Sequence, residues 1–237
     1  MVAYITGTSS GIGKSLALKL MKEGHQVIGI SRTCTIELSN YEHIFLDLTD
    51  LNEVAKFEFY TDIDNDVILI NNAGTIGPIK PIGHQIESDI ITLNNINITA
   101  PQILCNKFIH KFQPLNKQYQ ILNISSGAGK HPVDAWATYC ASKSAIDLFS
   151  ETIAQELKDR QFNNWHIFSI APGVVDTKIQ TQIRASNSKE FLVKSKFLDL
   201  KANNQLNSSK FVANQLFNVL DNPIKHAKTI FSLKDLA

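Results

Sequence analysis

The stretch 123–143 carries three residues whose types and spacing suit proton transfer, namely Ser126, Tyr139 and Lys143. A free phenol has a pKa of about 10 and exchanges protons poorly at neutral pH. An ammonium group beside it favours the phenolate and lowers that pKa towards the working range. A serine hydroxyl can hydrogen-bond a substrate oxygen next to the phenol. The three side chains therefore suit acid–base chemistry at a carbonyl or alcohol oxygen.

Two predicted elements must position these residues. The apolar run 120–124 is typical of a buried strand, and it ends at the serines. Beyond Ala137 a helix is predicted from the spacing of its apolar residues, which are Ala145, Leu148, Phe149, Ile153 and Leu157. Residues four apart share one helix face, so Tyr139 and Lys143 are predicted to point the same way. An exposed Tyr-x-x-x-Lys pair also arises by chance, and the rest of the chain decides between the two interpretations.

A glycine-rich turn, G-T-S-S-G-I-G at 7–13, lies between a β-rich run at 2–6 and a helix predicted to reach Glu23. This context distinguishes a dinucleotide site from a chance cluster of glycines. Glycines let the backbone approach a pyrophosphate, and the helix N-terminus supplies N–H donors and positive potential. The spacing G-x-x-x-G-x-G differs from the more usual G-x-G-x-x-G. The residues predicted to bind the nucleotide here are Gly7, Ser9, Ser10, Gly11 and Ile12.

The end of the predicted second strand, 26–30, bears on the choice of cofactor because Ser31 and Arg32 follow it. An acidic residue there would bind the ribose 2′-hydroxyl of NAD, whereas an arginine accommodates a 2′-phosphate. No carboxylate is near in the sequence, since Glu37 lies five residues beyond Arg32. A solvated surface arginine is the alternative. In a nucleotide-binding context Arg32 predicts NADP(H).

Other predicted strands also end at residues that suit cofactor binding. The third, 44–46, precedes Asp47, which could accept a hydrogen bond from an adenine amino group or belong to a helix cap. The fourth, 67–70, leads into N-N-A-G, where small residues would admit a ribose and the asparagine amides could tie strands together. The sixth, 165–170, leads into a turn expected near the nicotinamide. The contacts predicted at these three ends are Asp47, Asn72, Ala73, Gly74, Pro172, Gly173, Val175 and Thr177.

Two further segments are predicted to complete the site. A helix over 88–111 contains Asn97, and Pro101 would kink it and free a carbonyl. A side chain or water at that point could relay protons towards Lys143. Residues 178–207 mix Gln, Ser and Lys with scattered apolar residues, which favours a mobile substrate lid over a core element.

The alternation of strands and helices predicts the fold class. It ends with a helix over 208–220 and a strand over 229–232. The predicted apolar face of that helix comprises Phe211, Val212, Leu216 and Phe217. The pattern indicates an α/β, Rossmann-type, doubly wound parallel sheet of about seven strands with helices on both faces. At 237 residues the chain is expected to form a single domain over 1–237.

Composition narrows the classes of partner and compartment. Lys plus Arg (23) nearly balances Asp plus Glu (22), which argues against nucleic acid or an anionic membrane surface as a partner. The sequence has no run of about 18 apolar residues for a membrane span, and the strand pattern at 2–5 leaves no room for a cleavable signal peptide. The cysteines, Cys34, Cys105 and Cys140, show no metal-ligand spacing. We therefore expect no metal site, reduced thiols and a cytoplasmic protein.

Together these motifs resemble the short-chain dehydrogenase/reductase family over essentially the whole chain. In the family's order, the sequence has T-G-x-x-x-G-I-G at 6–13, N-N-A-G at 71–74, Asn97, Ser126, Y-x-x-x-K at 139–143 and P-G at 172–173. The resemblance implies that Tyr139 is the general acid and that Ser126 orients the carbonyl. It implies that Lys143 lowers the tyrosine pKa and, with Tyr139, contacts the cofactor, while Asn97 anchors a proton-relay water. A homodimer or homotetramer, formed through the helices around Asn97 and Ala145, is also implied.

Within the family the chain is most similar to the branch of benzoin-forming benzil reductases and sepiapterin reductases. The likeness lies in S-R-T at 31–33, N-N-A-G-T-I-G-P-I-K at 71–80, W-A-T-Y-C-A-S-K at 136–143, P-G-V-V-D-T at 172–177 and Q-x-x-I-R at 180–184. Two features differ. Ser10 stands where members that use NADP often have a basic residue, and 229–233 lacks the acidic anchor of the pterin enzymes.

The resulting expectation is an NADPH-dependent carbonyl reductase that acts on a small apolar ketone or an α-diketone. A sepiapterin-type or other short-chain reductase is the first alternative. The second is a nucleotide-binding regulator without turnover, and the intact set of Ser126, Tyr139 and Lys143 argues against it. A small-molecule carbonyl substrate would face the proposed lid, the segment 129–136 and the segment 78–82.

Overall fold

Seven parallel strands form one sheet in the computed structural model, which describes residues 1–60 and 65–236. The strands are β1 (Val2–Thr6), β2 (Gln26–Ser31), β3 (Tyr41–Phe45), β4 (Val67–Asn71), β5 (Tyr119–Ile124), β6 (Trp165–Ala171) and β7 (Ile230–Ser232). Their spatial order is β3-β2-β1-β4-β5-β6-β7, and neighbouring strands are parallel throughout. The order reverses between β1 and β4, the topological switch point of a doubly wound sheet. The predicted Rossmann-type sheet is confirmed.

Eight α-helices lie in the described part of the chain. They are α1 (Gly11–Lys22), α2 (Leu51–Lys56), α3 (Glu87–Asn94), α4 (Ala100–Phe112), α5 (Ala137–Asp159), α6 (Lys178–Ala185), α7 (Lys194–Ala202) and α8 (Ser209–Asp221). A π-helical turn, Asn95–Thr99, joins α3 to α4. Among the residues that the structure describes, none of the helices combines the length and the hydropathy that a bilayer-crossing segment needs.

The alternation of side chains along the strands builds two cores, one on each face of the sheet. Ala3 and Ile5 of β1 pack with α1 and α8, whereas Val2 and Tyr4 pack with α4 and α5. All residues of β1, β4 and β5 are buried, as expected for strands that helices cover on both faces. This burial explains why these strands appear in the sequence as nearly continuous apolar runs.

A third apolar cluster joins the segments that follow β4, β5 and β6. Its members are Ile76, Ile79, Leu93, Ala128, Ala135, Trp136, Tyr139, Ile183, Phe191 and Phe197. Parallel strands end at the same edge of a sheet, so these segments meet there. The cluster includes the predicted catalytic tyrosine.

Two of the predicted apolar faces are wrong in part. Leu148 of α5 is 66% exposed and Phe211 of α8 is 50% exposed. The face that α5 buries instead carries polar side chains, among them Ser142, Lys143 and Asp147. Apolar periodicity therefore misplaced this face, because α5 packs against the polar ends of the strands as well as against the core.

The helix predicted over 88–111 is confirmed, but its expected kink takes another form. Pro101 lies in the first turn of α4, where a missing N–H costs little, and the π-helical turn precedes it. Near β3 the structure also departs from the prediction. The strand begins at Tyr41 rather than at 44, and the unpredicted helix α2 follows it, capped by the Asp50 carboxylate.

Candidate active site

The structure brings Ser126, Tyr139 and Lys143 to one place beyond the end of β5. Ser126 follows that strand by two residues, and Tyr139 and Lys143 lie in the first two turns of α5. The Ser126 hydroxyl is next to the Tyr139 phenol. The Lys143 ammonium lies 5.8 Å from the centroid of the Tyr139 ring. Tyr139 and Lys143 are both buried, as the shared helix face predicts.

Burial controls the protonation state of Tyr139. It raises the pKa of the phenol, and the nearby Ser126 hydroxyl, whose Oγ accepts a hydrogen bond from the Ala128 N–H at 3.2 Å, opposes this rise. The sequence led us to expect a lowered tyrosine pKa, caused by Lys143. Burial instead holds the pKa above its ordinary value, because desolvation of the phenolate outweighs the effect of the Ser126 hydroxyl. The phenol therefore keeps its proton at neutral pH, which is the form that a general acid requires.

Lys143 joins α5 to the end of β5. Its ammonium donates a hydrogen bond to the Ile124 carbonyl oxygen at 2.8 Å. Burial lowers the pKa of this amine to about 8, and the Asp147 carboxylate opposes that effect. The amine is still mainly protonated at pH 7. Asp147 has no part in the sequence-based prediction, although its position four residues after Lys143 places both on one helix face.

Asn97 holds the loop that follows β4 against α5. It lies in the π-helical turn, and its Oδ1 accepts a hydrogen bond from the Thr75 N–H at 2.9 Å. Its Nδ2 donates to the Thr75 carbonyl oxygen at 2.8 Å and to the Ser142 hydroxyl at 3.1 Å. The prediction that Asn97 anchors a water remains a prediction. Sequence patterns pointed to neither Thr75 nor Ser142, because each depends on a contact far away in the chain.

Gly74 leaves a space between two of these groups. A Cβ atom at this position would come 3.5 Å from Asn97 Oδ1 and 3.7 Å from Lys143 Nζ. A small part of a ligand could therefore approach both the amide and the ammonium over the backbone of Gly74. Ala73, which precedes it, donates its N–H to the Thr6 hydroxyl at 3.0 Å. This cradle fits the ribose that the N-N-A-G motif predicts.

The glycine turn before α1 fits a pyrophosphate. Gly7 and Gly11 have φ angles of +76° and +60°, which favour glycine. A Cβ atom on Gly13 would lie 2.5 Å from the Gly7 carbonyl oxygen, so a side chain there would break the close packing of helix on turn. Within the described residues, the Ser10 side chain caps no N–H group of α1. The first-turn N–H groups therefore have the geometry of an anion site.

The Asn72 side chain hydrogen-bonds the backbone at the start of the glycine turn. Its Nδ2 donates to the carbonyl oxygens of Thr6, at 2.9 Å, and of Gly7, at 3.3 Å. Its backbone N–H donates to the Thr6 hydroxyl at 3.0 Å. Next to it, Asn71 Nδ2 donates to Asn123 Oδ1 at 2.9 Å, which ties β4 to β5. The amides thus tie strands together as predicted, and the structure gives Asn72 a supporting place beside the cofactor turn.

Arg32 and Asp47 lie together although the sequence separates them. Their strands, β2 and β3, are parallel neighbours, so their carboxyl ends are adjacent. Arg32 Nη1 lies 3.8 Å from Asp47 Oδ2, and the arginine side chain is 72% exposed. The prediction that no carboxylate lies beside Arg32 is therefore wrong, because the fold brings Asp47 next to it. Asp47 also accepts hydrogen bonds from the N–H and the hydroxyl of Thr49, whereas Asp50 is the helix cap.

The remaining predicted contacts lie in two facing turns. A Cβ atom on Gly11 would be 3.5 Å from Thr177 Cγ2, which shows that the turn after β6 approaches the glycine turn. Gly173 has a φ of +80°, and Val175 forms a bridge with Asn207. The other predicted contacts in these turns are Ser9, Ser10, Ile12 and Pro172. Cofactor binding by each of them stays a prediction.

Apolar side chains of the segment 129–136 and of the proposed lid pack in one cluster with Tyr139. Trp136 packs edge-to-face on the Tyr139 ring at 5.7 Å between centroids and stacks on Phe191 at 5.6 Å. Phe191 and Phe197 belong to 178–207 and are both buried in the third cluster. The segment is therefore largely helical, through α6 and α7, and the prediction that it is not a core element is wrong in part, because these two phenylalanines are buried. That it acts as a substrate lid stays a prediction.

Polar contacts fasten the proposed lid at its edges. Gln182 Nε2 donates to the Gly77 carbonyl oxygen at 2.8 Å, and the Leu192 N–H donates to Asp134 Oδ2 at 2.7 Å. Asp176 precedes α6 and contacts the Lys201 ammonium at 2.6 Å and the Arg184 guanidinium at 3.8 Å. These ion pairs hold both lid helices to the turn after β6. Sequence reasoning did not find them.

Several curated proteins are similar to the chain over most of its length. It is 37% identical to a benzil reductase ((S)-benzoin forming) from Bacillus cereus, over 92% of each chain. It is 34% identical to a benzil reductase ((S)-benzoin forming) from Bacillus subtilis, over 98% of this chain and 97% of the relative. An NADPH-dependent pterin aldehyde reductase from Arabidopsis thaliana is 32% identical over 75% of this chain and 76% of the relative.

The fold and the family model agree with these relatives. A structure of 4-hydroxyisoleucine dehydrogenase complexed with NADH superposes with a TM-score of 0.78 at 19% identity, covering 98% of this chain and 96% of the other. At that identity the likeness concerns the fold alone. The family model described as short chain dehydrogenase matches residues 1–188. With its seven-stranded parallel sheet and its Ser126, Tyr139 and Lys143 in one buried site, the chain belongs to the short-chain dehydrogenase/reductase family.

Proposed function

We propose that this protein is an NADPH-dependent carbonyl reductase whose substrate is a small apolar ketone or an α-diketone. Family membership and the similarity to benzil reductases support a carbonyl reductase of the oxidoreductase class. One observation carries the proposal: the Ser126 hydroxyl adjoins the Tyr139 phenol, whose pKa is raised by burial, and the phenol lies within the third apolar cluster.

The proton chemistry follows from these side chains. Ser126 and Tyr139 would hydrogen-bond the same carbonyl oxygen, because their hydroxyls are neighbours. A bound nicotinamide supplies the hydride. Tyr139 would give its proton to the carbonyl oxygen as negative charge develops there, so that the product carries a hydroxyl group. The Lys143 ammonium, near the ring, would then stabilise the remaining phenolate.

The chain's own residues suit a nicotinamide dinucleotide from end to end. The glycine turn and the N-terminus of α1 would bind the pyrophosphate. The cradle over Gly74, with Lys143, would hold the nicotinamide ribose, and the turn at 172–177 would lie along the nicotinamide. Asp47 would bind the adenine.

Arg32 supports NADP over NAD. Its guanidinium is mostly exposed, and at 3.8 Å its contact with Asp47 is longer than a hydrogen bond, so its donors can bind a phosphate. The Asp47 carboxylate would repel the same phosphate, which moderates the preference. Ser10, within the glycine turn, adds no positive charge. We therefore expect Arg32 to make the protein prefer NADP over NAD, and we expect Asp47 to limit the size of that preference.

The third apolar cluster supports an apolar substrate. Trp136 packs on the Tyr139 ring, Ile183 and Phe191 belong to the same cluster, and this cluster offers aromatic and aliphatic contacts. A charged keto acid would lose hydration beneath it, and in the described part of the chain Lys143 is the one buried cation that could compensate. An α-diketone is favoured because its second carbonyl makes the first more electrophilic. The named activity of the two bacterial relatives is the reduction of such a compound.

A comparison of kcat/KM values on the purified protein tests this proposal. Benzil should lead a panel that also contains a charged α-keto acid, a sugar and sepiapterin, each with NADPH. A tenfold or greater lead for the keto acid or the pterin would contradict the apolar substrate and leave only the reductase assignment. Tight NADPH binding without turnover on any member would favour the non-catalytic regulator.

A pterin is the second candidate substrate, and the pterin aldehyde reductase similarity favours it. Residues 229–233, T-I-F-S-L, offer no carboxylate for a pterin ring. Asp235 follows them, but its Oδ2 accepts a hydrogen bond from the Ser232 N–H at 2.8 Å. The carboxylate is therefore engaged with its own turn, and sepiapterin is expected to be a poorer substrate than benzil.

We also propose that the protein self-associates and works in the cytoplasm. Ile91 of α3 and Leu148 of α5 are exposed apolar residues on helices that contact each other. Such residues suit the interface of a homodimer or homotetramer. The three cysteines are free thiols, which agrees with a reducing compartment.

A further inference from the structure

Asp147 is a buried acid to which the reaction above gives no role. It lies on α5, four residues after Lys143 and eight after Tyr139, so the three side chains share one helix face. Its exposed fraction is only 7%. A carboxylate is costly to bury unless it meets a hydrogen-bond donor and an opposite charge. Its surroundings should therefore supply both.

The hydrogen-bond donor comes from the neighbouring strand. The Ser169 hydroxyl of β6, itself fully buried, donates to Asp147 Oδ1 at 2.6 Å. A neutral hydroxyl stabilises the carboxylate but does not balance its charge. Over residues 1–60 and 65–236, no cationic nitrogen lies within 4.0 Å of Asp147. The counter-charge must act from a greater distance.

The turn that carries Ser126 closes over the second carboxylate oxygen. A Cβ atom on Gly129 would lie 3.0 Å from Asp147 Oδ2 and 2.9 Å from the Lys143 carbonyl carbon. The Gly129 N–H donates to the Ser126 carbonyl oxygen at 2.9 Å, so the turn is compact. Gly129 thus packs closely on the Lys143 backbone and on the Asp147 carboxylate, which is itself buried. At low local dielectric, a charge one helical turn away remains effective.

Lys143 is the group on which this charge acts. Other titratable groups lie on elements that pack against α5: Glu87 and Asp89 on α3, and His166 on β6. On α5 itself, Tyr139 and Cys140 titrate close by. Asp147 is the charged group that shifts the Lys143 amine within the described residues, and it favours the protonated form.

We infer that Asp147 is a positioning residue whose buried negative charge keeps the Lys143 amine protonated in the active site. The inference builds on the proposed function because it concerns the lysine of that site. A protonated amine donates to the Ile124 carbonyl oxygen and can stabilise a phenolate on Tyr139. A neutral amine does neither as well. Asp147 therefore determines the pH range over which Ser126, Tyr139 and Lys143 can carry out proton transfer.

The sign of the effect follows from charge. Burial lowers the pKa of Lys143 to about 8, with Asp147 opposing that effect. Removing the carboxylate leaves burial unopposed, so the amine pKa falls further and the neutral form gains population near pH 7. The alkaline limb of kcat/KM should then move to lower pH.

The test compares Asp147→Asn with Ser169→Ala. The asparagine variant keeps the volume and an oxygen acceptor for Ser169 but removes the charge. The alanine variant removes the hydrogen bond and keeps the carboxylate. The Lys143 amine is titrated directly, without cofactor, through the Cε resonance of protein labelled with ¹³C-lysine, assigned by its loss in Lys143→Arg. Its pKa should fall by about one unit in Asp147→Asn and by much less in Ser169→Ala.

Activity gives a second, separable readout. The alkaline limb of kcat/KM for Asp147→Asn should shift by the same amount as the amine, with activity regained at lower pH. A purely structural role predicts equal losses in both variants and no regain. An amine pKa in Asp147→Asn that stays within about 0.2 units of the unmodified protein overturns the inference. If Asp147→Asn fails to fold, Asp147→Ser is titrated in its place. Because the titration needs no substrate, a wrong substrate assignment leaves it unaffected.

Discussion

At the scale of single residues, burial acts in opposite directions on the two groups to which we assign proton transfer, Tyr139 and Lys143. It raises the pKa of Tyr139, so the phenol holds its proton, and it lowers the pKa of Lys143 to about 8, so the amine is close to losing one. Neither shift is visible in the spacing of the residues, because desolvation depends on what packs around them. Both groups could be identified from the sequence, but the expected direction of the tyrosine pKa shift was wrong.

Tyr139→Phe should lower turnover by at least ~10²-fold, the lower end for the loss of a positioned general acid. The change removes only a hydroxyl, and the ring keeps its contact with Trp136. The melting temperature and the NADPH dissociation constant, measured by fluorescence titration, should stay near those of the unmodified protein. Near-normal kcat with an active substrate would show that the acid is misassigned.

Arg32→Ala should remove most of a preference for NADPH over NADH that we expect to be roughly tenfold or more, the value of a charge-assisted hydrogen bond. The measurement is kcat/KM for both cofactors at fixed substrate. Asp47→Asn is the matched variant, since it removes the carboxylate beside the guanidinium. The Asp47→Asn variant should prefer NADPH over NADH more strongly than the unmodified protein does. Equal kcat/KM for the two cofactors in the unmodified protein would refute the role of Arg32.

At the scale of elements, the site depends on strand ends and on one helix. The central strands β1, β4 and β5 were predictable because full burial leaves apolar runs, whereas the start of the less buried edge strand β3 was misplaced. The parallel order follows from the alternation with helices. The contacts between elements were not predictable. Asp47 meets Arg32 only because β3 pairs with β2, and Asn97 meets Thr75 and Ser142 only after the sheet has formed.

The buried face of α5 shows the same limit more sharply. Ser142, Lys143 and Asp147 lie inward while Leu148 lies outward, against the apolar periodicity. A helix that packs on a polar site buries polar residues, and a pattern based on hydropathy assigns them to solvent. The motif Tyr-x-x-x-Lys marked the correct face where periodicity did not.

Asp176→Asn should loosen the lid helices. The hydrogen bond from Lys201 lowers the pKa of the Asp176 carboxyl most, with further lowering by the charges of Lys201 and Arg184. A lowered carboxyl pKa means that the contact is intact above the ordinary range of aspartate, about 4, and is lost as pH falls below it. At neutral pH, amide hydrogen exchange in peptides covering 178–207 should speed up, and KM should rise a few-fold at most, because exposed ion pairs are weak.

Glu53→Gln is the control for this prediction. It breaks another exposed ion pair, between Glu53 and Lys56 at 3.0 Å on α2. Exchange in 178–207 should not respond to it. If Asp176→Asn also leaves that exchange unchanged, the ion pairs do not fasten the lid.

At the scale of the whole molecule, an exposed apolar surface on the outer sides of α3 and α5 bears on self-association. Leu148 is exposed there, Phe149 and Ala145 are half-buried, and Ile91 of α3 is 59% exposed. The formal net charge of +1 opposes association only weakly. A two-fold axis through α5 would bring the same apolar residues of two copies together. This is the surface through which we expect the chain to associate.

Leu148→Glu should dissociate the assembly. In a two-fold interface the substitution places two like charges near each other and removes apolar contact from both copies, so its effect is doubled. Sedimentation velocity should show a multiple of the 26.4 kDa chain mass for the unmodified protein and a shift towards the single chain for Leu148→Glu. Ile224→Glu is the matched control, since Ile224 is 86% exposed on the segment after α8, and it should leave the assembly intact. A single-chain mass for the unmodified protein at micromolar concentration, or equal behaviour of the two variants, would place the interface elsewhere or show that none exists.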